Sequence, residues 1–264
     1  MIFLSKGNSD PYIKAFAAGC NTSTLNSEQF VYENSNDPIV LRGILKKKII
    51  QKCWKDRRDF YYIDTGYFGN EITKLNPNGW KYWHRIVKNN LQHNDLVDRP
   101  DDRFQKFAKK INPWKKNGRK ILIAAPDEKP MKFYGLKIDE WLDKTVSTIK
   151  EYTDRPVEIR YRDKNRIDRN VNRPFLEALN DDVFALVTFN SNAAVESIFN
   201  GIPAFTLSPV HAASPVSSQN LKTIETPYYP DRDKVYKWGC HLSYGQFHVD
   251  EMRSGKAMDI LQSV

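Results

Sequence analysis

Alternating apolar runs and helical segments between residues 120 and 209 limit the possible folds of this chain most strongly. KIDEWLDKTVSTIKEYT (137–153) places its apolar side chains on one helical face, and NAAVESIFNG (192–201) is a helical segment that a glycine closes. The runs that predict buried strands are KILIAAP (120–126), PVEIRYR (156–162), VFALVTF (183–189) and PAFTLSP (203–209). Strand–helix–strand repetition at this spacing predicts a parallel sheet with helices on both faces.

The first half of the chain has a similar but less regular pattern. Its segments are IFLS (2–5) and PIVLRG (38–43) as strands, LKKKIIQKCWKD (45–56) as a basic-faced helix and FYYIDTGYF (60–68) as a strand. Residues 71–117 are polar and aromatic and end in a basic stretch that is typical of a linker. We therefore predict an α/β protein with two Rossmann-like lobes, 1–117 and 118–264, each with a parallel sheet flanked by helices. A cleft is expected between the lobes, and a C-terminal helix interrupted at Gly255 is expected to pack back on the first lobe.

The net charge of +9 is confined to the predicted first lobe. Residues 1–117 contain 21 Lys and Arg against 12 Asp and Glu, whereas residues 118–264 contain 20 Lys and Arg and 20 Asp and Glu. A basic lobe joined to a neutral one predicts that the first lobe binds a polyanion. A basic surface that only keeps the protein in solution is the alternative.

Cysteine usage and the lack of several motifs exclude other classes of protein. Cys20, Cys53 and Cys240 form no CxxC motif or Cys/His cluster, so neither a disulfide framework nor a metal site is predicted. No run approaches the ~20 apolar residues of a membrane span, and we expect a cytoplasmic protein with no membrane partner. The sequence has no Walker A, GxGxxG, HExxH or GxSxG motif, which argues against ATPases, dinucleotide oxidoreductases, zinc proteases and α/β-hydrolases.

A polar cluster follows the apolar run 183–189, just before a helical segment. Ligands of parallel α/β sheets bind at the carboxyl ends of strands, where helix N-termini present free N–H groups. The polar residues at this point are Thr188, Asn190, Ser191 and Asn192. We expect their backbone and side-chain donors to hold a phosphate. Glu196 lies one helical turn further on, where a carboxylate is suited to accept hydrogen bonds from a ribose diol.

Ser191, Glu196, Gly201 and Pro203 form the pattern S-x-x-x-x-E-x-x-x-x-G-x-P. Over about residues 119–209 this pattern resembles the donor-binding lobe of GT-B glycosyltransferases. The resemblance implies that Glu196 holds the ribose of a nucleotide sugar and that the helix N-terminus faces its diphosphate. The nucleotide sugar, first of all UDP-glucose, is then a co-substrate, and no bound cofactor is expected. The alternative is that Ser191 only caps the helix and Glu196 is solvated.

Cations stand at and just past the end of the predicted strand 156–162. Arg162 and Lys164, with Arg169 behind them, are suited to pair with a diphosphate. The resemblance implies that such cations replace a metal in stabilising the departing nucleotide diphosphate. An exposed loop, partly neutralised by its own aspartates, is the alternative.

Inverting sugar transfer needs a base that takes the proton of the acceptor hydroxyl. Asp64, at the end of an apolar run, is predicted as that base, because Gly66 and Gly69 after it permit the close approach of a ligand. A turn aspartate that caps the next segment is the alternative. His84, which lies among aromatic and basic residues, is the second candidate, and a retaining mechanism would not need such a base.

The acceptor lobe of GT-B enzymes is generally the N-terminal one, which here carries the excess charge. The residues predicted to bind nucleic acid are Lys46, Lys47, Lys48, Arg57, Arg58, Trp83, Arg85 and Lys88. We therefore predict sugar transfer to a hydroxymethylated base in double-stranded DNA. The chain would then resemble the phage enzymes that glycosylate 5-hydroxymethylpyrimidines, and it would act in the host cytoplasm.

Two alternatives stay open at this point. The pattern from Ser191 to Pro203 also resembles capsule-sugar transferases, whose acceptor is a polysaccharide. A non-catalytic DNA-binding or scaffolding protein on a Rossmann-like frame is the alternative from a different class. Loss of nucleotide binding on Glu196→Ala would favour an enzyme, whereas salt-dependent DNA binding without nucleotide binding would favour a scaffold.

Overall fold

The computed structural model describes residues 1–70, 79–161 and 175–263 and divides into two compact units. The first unit comprises Met1–His93, Arg99–Phe107 and Cys240–Val264, and the second comprises Asn94–Asp98 and Ala108–Gly239. The elements of the first part are β1 (Ile2–Ser5), α1 (Pro11–Gly19), β2 (Thr24–Asn26), β3 (Ile39–Arg42), α2 (Lys47–Asp56), β4 (Phe60–Thr65), β5 (Trp83–Lys88) and α3 (Asp102–Gln105).

The second unit contains a parallel sheet. Its elements are β6 (Lys120–Ala124), α4 (Glu128–Tyr134), α5 (Ile138–Tyr152), β7 (Val157–Arg160), α6 (Phe175–Asn180), β8 (Val183–Thr188), α7 (Ala193–Phe199), β9 (Ala204–Thr206) and the greater part of α8 (Arg232–Tyr244). The strands lie in the order β7-β6-β8-β9, and each neighbouring pair is parallel. Every residue of β8 is buried, as expected for a strand that has both faces covered.

The order of these strands creates a topological switch point in the second unit. The chain leaves β6 for β7 on one side and returns to β8 on the other. The loops that follow β6 and β8 therefore diverge, and the crevice between such loops is where open α/β sheets bind ligands.

The end of the chain returns to the first unit. After α8 it forms β10 (Gln246–His248), α9 (Val249–Arg253) and α10 (Lys256–Gln262). The first sheet has the order β10-β5-β4-β3-β1-β2, in which β1 to β4 are parallel and β5 is antiparallel to both of its neighbours. Gly255, with a positive φ, separates α9 from α10, so the predicted interruption of the C-terminal helix is confirmed.

The two faces of the first sheet differ in character because side chains alternate along each strand. On one face, Phe3, Val40, Ile63 and Phe247 belong to an apolar core that includes side chains of α1, α9 and α10. The registers of β4, β5 and β10 place Asp64, Arg85 and Gln246 together on the opposite face.

Arg103 ties the C-terminal residues into the first unit. Its Nη1 and Nη2 atoms lie 2.8 and 2.9 Å from the two carboxylate oxygens of Glu251, and Nη2 also donates to the carbonyl of Gln246 at 2.8 Å. Nε donates to the carbonyl of Ser243 at 3.1 Å, so the buried guanidinium is paired in several directions. A buried cation is tolerated when it is paired and hydrogen-bonded in this way.

The predicted α/β class with helix-flanked sheets is confirmed, but several elements were missed. They are β2, β5, α3, α4, α8 and β10. The first sheet is also mostly rather than wholly parallel, because β5 and β10 add antiparallel pairs. The predicted boundary after residue 117 differs from the division in the structure, since residues 240–264 pack with the first unit. The cleft between the lobes stays a prediction. None of the helices described is both long enough and apolar enough to cross a membrane.

Candidate functional site

Asp64 lies at the carboxyl end of β4 with 36% of its side chain exposed. Its Oδ2 accepts hydrogen bonds from the hydroxyl of Tyr62 at 2.7 Å and from Nη2 of Arg85 at 3.2 Å. Its Oδ1 accepts from the backbone N–H of Thr65 at 2.8 Å. The carboxylate is therefore held in one orientation and is still open to solvent.

These contacts set the protonation state of Asp64. Burial raises the pKa of this carboxyl, but the Arg85 guanidinium, the Tyr62 hydroxyl and the Thr65 N–H outweigh burial and hold the pKa below its ordinary value. The carboxylate is thus ionised at neutral pH, which is the state that a general base needs. Its lowered pKa also makes it a weaker base than an unpaired aspartate.

His84 lies inside the first unit, and the structure does not support it as the second candidate base. Its side chain is fully buried and packs against the ring of Tyr12, with the centroids 3.7 Å apart. Neither ring nitrogen has a hydrogen-bond partner among the residues that the structure describes. Burial, followed by the nearby Arg42, lowers the pKa of His84 to about 3. A buried imidazole cannot contact an acceptor hydroxyl.

Asp10 and Arg42 form an ion pair that sequence reasoning missed. Nη1 of Arg42, the last residue of β3, lies 3.0 Å from Oδ2 of Asp10, which caps α1 by accepting from the N–H of Tyr12 at 3.0 Å. The guanidinium also lies over the Tyr12 ring, 4.5 Å from its centroid. The pair lies where the loops after β1 and β3 diverge. In the sequence, the sign that could have identified Asp10 is its position just before a proline that begins a helix.

Three residues of the predicted nucleic-acid set are engaged inside the first unit. Arg58 is buried and donates to the carbonyls of Asp37 and Glu33 at 2.8 and 2.9 Å, and Arg85 is buried against Asp64. The half-buried Trp83 packs edge-on against Phe107. The prediction for Arg58 and Arg85 is therefore wrong in this structure, because neither guanidinium is open to a phosphate.

The other predicted nucleic-acid residues lie at or near α2 or at the end of β5. Nζ of the half-buried Lys46 contacts Oγ of Ser27, and Lys88 is paired with Asp59 at 3.1 Å. Lys47 is half-buried, whereas Lys48 and Arg57 are exposed. The open part of the predicted basic surface is thus the outer face of α2, whose exposed cations are Lys48, Lys52, Lys55 and Arg57.

In the second unit, Thr188 and Ser191 make contacts within the chain. The hydroxyl of the buried Thr188 donates to the carbonyl of Ala124 at 3.2 Å. Oγ of Ser191 accepts from the N–H of Ala193 at 3.2 Å, and the N–H of Ala194 donates to the Ser191 carbonyl at 3.2 Å. The first N–H groups of α7 are therefore satisfied by Ser191 itself, as in the capping alternative.

Asn190, Asn192 and Glu196 are the accessible members of the predicted donor-binding set. The two asparagines are half-buried in the loop between β8 and α7, and Glu196 is exposed on α7. Burial lowers the pKa of Arg160, at the end of β7, while the charges of Glu158 and Glu196 act in the opposite direction. Arg160 and Glu196 thus attract each other near the carboxyl edge of the second sheet. Arg162, Lys164 and Arg169 lie outside the described residues.

His211 is a buried residue near the switch point of the second unit that sequence reasoning missed. Its Nδ1 accepts from the N–H of Ala213 at 2.9 Å, so the proton of the neutral ring is on Nε2. Nε2 lies 3.1 Å from the carbonyl of Ser191 and donates to it. His211, in the loop after β9, therefore holds the loop after β8 in place. In the sequence it is a lone histidine in SPVHAAS, which does not indicate this role.

Possible metal ligands are dispersed over the part of the chain that the structure describes. Within residues 1–70, 79–161 and 175–263, no three His, Cys, Asp or Glu side chains are grouped closely enough to hold a metal ion. The carboxyl edge of the first sheet thus carries the fixed carboxylate of Asp64 and the paired Arg42, and that of the second sheet carries the exposed Glu196 and the half-buried Asn190 and Asn192.

Comparisons with known proteins identify a similar fold. No family model and no curated protein matches the sequence. Thermosulfurimonas dismutans KpsC, a beta Kdo 2,4 transferase, matches with a TM-score of 0.51 and 8% identity over 89% of this chain and 87% of that chain. Thermosulfurimonas dismutans KpsC, a beta Kdo 2,7 transferase, matches with a TM-score of 0.51 and 10% identity over 99% of this chain and 100% of that chain. At such identities the likeness is one of fold.

Proposed function

We propose that this protein is a glycosyltransferase that moves a sugar from a nucleotide-sugar donor to a hydroxyl acceptor. The observation that carries the proposal is the likeness in fold to two Kdo transferases, which covers 99% of this chain in one of them. Because one fold can host many activities, the side chains at the carboxyl edges of the two sheets have to supply the chemistry.

We assign the donor to the switch point of the second unit. The Asn190 and Asn192 amides can hydrogen-bond its phosphates, and the exposed Glu196 carboxylate can accept from a ribose diol. Arg162, Lys164 and Arg169 remain the proposed partners of the diphosphate. UDP-glucose remains a candidate donor. An activated Kdo is a second candidate, because the two similar structures are named as Kdo transferases.

We assign the base to Asp64 of the first unit. In an inverting transfer, the acceptor oxygen bonds to the anomeric carbon while the nucleotide leaves with the electrons of the broken bond. Asp64 then takes the proton of the acceptor hydroxyl. Its contacts with Tyr62, Thr65 and Arg85 support this role, because they hold the carboxylate ionised and fixed in direction.

We propose a saccharide as the acceptor ahead of DNA. The similar structures are sugar transferases named for Kdo, and Arg58 and Arg85 are engaged in internal contacts. A hydroxymethylated base in double-stranded DNA is the second candidate, and the row of exposed cations on α2 favours it. The same row would serve a DNA-binding scaffold without activity.

Calorimetry on the purified protein tests the donor site. UDP, UDP-glucose, GDP-sugars and an activated Kdo are titrated into the wild type, Glu196→Gln and a control, Glu151→Gln, which alters an exposed glutamate of α5. We expect one nucleotide to bind, Glu196→Gln to weaken it about tenfold and Glu151→Gln to leave it unchanged, since a lost hydrogen bond costs about 1.5 kcal/mol. If no nucleotide binds, the donor assignment is wrong.

A transfer assay then tests the reaction and the acceptor. Saccharides and hydroxymethylated duplex DNA are offered with the bound donor, and product mass is measured. Asp64→Asn should lower kcat by about 100-fold or more, whereas Asp59→Asn, at the residue just before β4, should not. Transfer should persist in EDTA if protein cations replace a metal. Steep salt-dependent DNA binding with no transfer would support the scaffold instead.

A further inference from the structure

Gln246 makes an unusual set of contacts for a buried side chain. It comes from β10 and reaches the loop after β4, which is almost 180 residues away in the sequence. Its Oε1 accepts from the backbone N–H groups of Tyr67 and Phe68 at 2.6 and 2.9 Å, and its Nε2 donates to the carbonyl of Phe68 at 3.2 Å. One amide thus satisfies three backbone groups of a single loop.

The rest of that loop, residues 65–70, is fixed just as fully. The N–H of Gly66 donates to the Trp83 carbonyl at 3.0 Å, and the Asn70 amide donates to the carbonyls of Gly66 and Trp83 at 3.2 and 3.0 Å. A Cβ at Gly66 would lie 2.9 Å from Oε1 of Gln246 and 3.0 Å from the Trp83 carbonyl oxygen, so glycine permits this close approach. These hydrogen bonds satisfy the buried backbone groups of the loop and hold it against β5 and β10.

The fixed loop is directly connected to Asp64. Arg85 donates through Nη1 to the carbonyl of Thr65 at 2.8 Å and through Nη2 to Asp64 at 3.2 Å. Gln246 is the partner of Arg85 in the register of β10 and β5, so the two side chains stand side by side on the same face. The Tyr67 ring lies 5.5 Å from the Arg85 guanidinium. Gln246 therefore fixes the loop whose first residue, Thr65, donates its N–H to Asp64 and accepts from Arg85 at its carbonyl.

We propose that Gln246 is a positioning residue, which fixes loop 65–70 and through it the direction and hydrogen bonds of the Asp64 carboxylate. This inference rests on the proposed function for its catalytic meaning. The strand β10 thereby contributes a side chain, Gln246, to the Asp64 site, in addition to extending the sheet.

Replacing Gln246 by methionine tests the proposal, because methionine has a similar shape and neither an amide donor nor an amide acceptor. The buried N–H groups of Tyr67 and Phe68 then lose their acceptor, and the loop loosens. We expect kcat to fall by about 10- to 100-fold with a smaller change in KM, since a small misplacement of a reacting group costs this much. Gln246→Asn, which keeps a shorter amide, is the milder variant if Gln246→Met does not fold.

A readout that needs no activity separates positioning from general destabilisation. The carboxyl carbon of Asp64 is followed by NMR over a pH titration and assigned by its loss in Asp64→Asn. The charged and titratable groups around it are Arg85 and His84 on β5, Tyr62 on β4 and Arg42 on β3. In Gln246→Met we expect the pKa of Asp64 to rise, because the Thr65 N–H and Arg85 are no longer held against it.

Phe247→Leu is the matched control, since Phe247 is the next residue of β10 and faces the apolar core on the opposite side of the sheet. It should lower stability and leave the Asp64 titration and the exchange rates of the Tyr67 and Phe68 amides unchanged. If Gln246→Met and Gln246→Asn also leave both unchanged, the proposal is wrong, whatever the activity. If the Asp64 titration and the amide exchange rates change but Asp64→Asn still transfers sugar, Gln246 does position the carboxylate, and the assignment of Asp64 as the base is wrong.

Discussion

The buried His84 and the half-buried His93 make the stability of the first unit depend on pH. The pKa values of His84 and His93 are each lowered to about 3, in both cases chiefly by burial. The second cause is Arg42 for His84 and His241 for His93. The unfolded chain binds a proton on each imidazole near pH 6.5, whereas the folded chain binds none until about pH 3. Stability is therefore complete above pH 6.5 and falls as the pH falls toward 3.

The size of the effect follows from linkage. Below pH 6.5 each histidine lowers the free energy of unfolding by about 1.4 kcal/mol per pH unit, and above pH 6.5 its effect fades. Lowering the pH from 7.5 to 5.5 therefore removes about 1.4 kcal/mol of stability per histidine and about 2.8 kcal/mol for both. Carboxylates with lowered pKa values, such as Asp64, add their losses at lower pH. The range from pH 7.5 to 5.5 thus reports mainly on histidine.

Urea unfolding at several pH values between 7.5 and 5.5 measures the slope of the unfolding free energy against pH. We expect His84→Phe, which keeps a ring against Tyr12, to reduce the loss of unfolding free energy between pH 7.5 and 5.5 by about 1.4 kcal/mol. Ile86→Val is the control, because it weakens the same core without a titrating group and should leave the slope unchanged. A free energy of unfolding that is constant over this range, or an equal slope in His84→Phe, would refute the reasoning.

Three further predictions follow from named contacts. Arg103→Met should cost about 3–5 kcal/mol, because it leaves the carboxylate of Glu251 without its bidentate partner, and adding Glu251→Gln should recover part of this loss in urea unfolding. Gly245→Ala should cost about 1–3 kcal/mol, since its Cβ would overlap the His93 ring, and thermal unfolding would show a lowered Tm. Gly201→Ala should destabilise the second unit, because Gly201 has φ +74° and a Cβ there would overlap the Pro113 carbonyl. Hydrogen exchange in β9 should rise in this last variant, and unchanged exchange would count against the reasoning.

The sequence predicts the second unit better than the first for a physical reason. Apart from Lys120 and Thr188, VFALVTF and KILIAAP are apolar, because parallel strands with both faces covered need no polar alternation. WHRIVK was missed because His84 and Arg85 make β5 look polar. The partners that allow these two side chains to be buried, Tyr12 and Asp64, are distant in the sequence.

The candidate site was predictable in part for a similar reason. Asp64 stands out locally because it ends an apolar run. Arg85 shows its charge in the sequence but not the carboxylate it faces, and it was therefore assigned to DNA. Gln246 has no local signal at all, since its role depends on a strand pairing across almost the whole chain.

The discontinuous first unit has a consequence for biosynthesis. The ribosome makes residues 1–107 first and residues 240–264 only after the second unit is complete. Until then the nascent chain exposes the edge of β5 that later pairs with β10, and an unpaired edge invites pairing with other chains. The second unit can fold during this interval, but loop 65–70, which follows Asp64, is not fixed until Gln246 has been made. Errors that stop translation after residue 239 would therefore leave a folded second unit attached to an unfinished, aggregation-prone first unit.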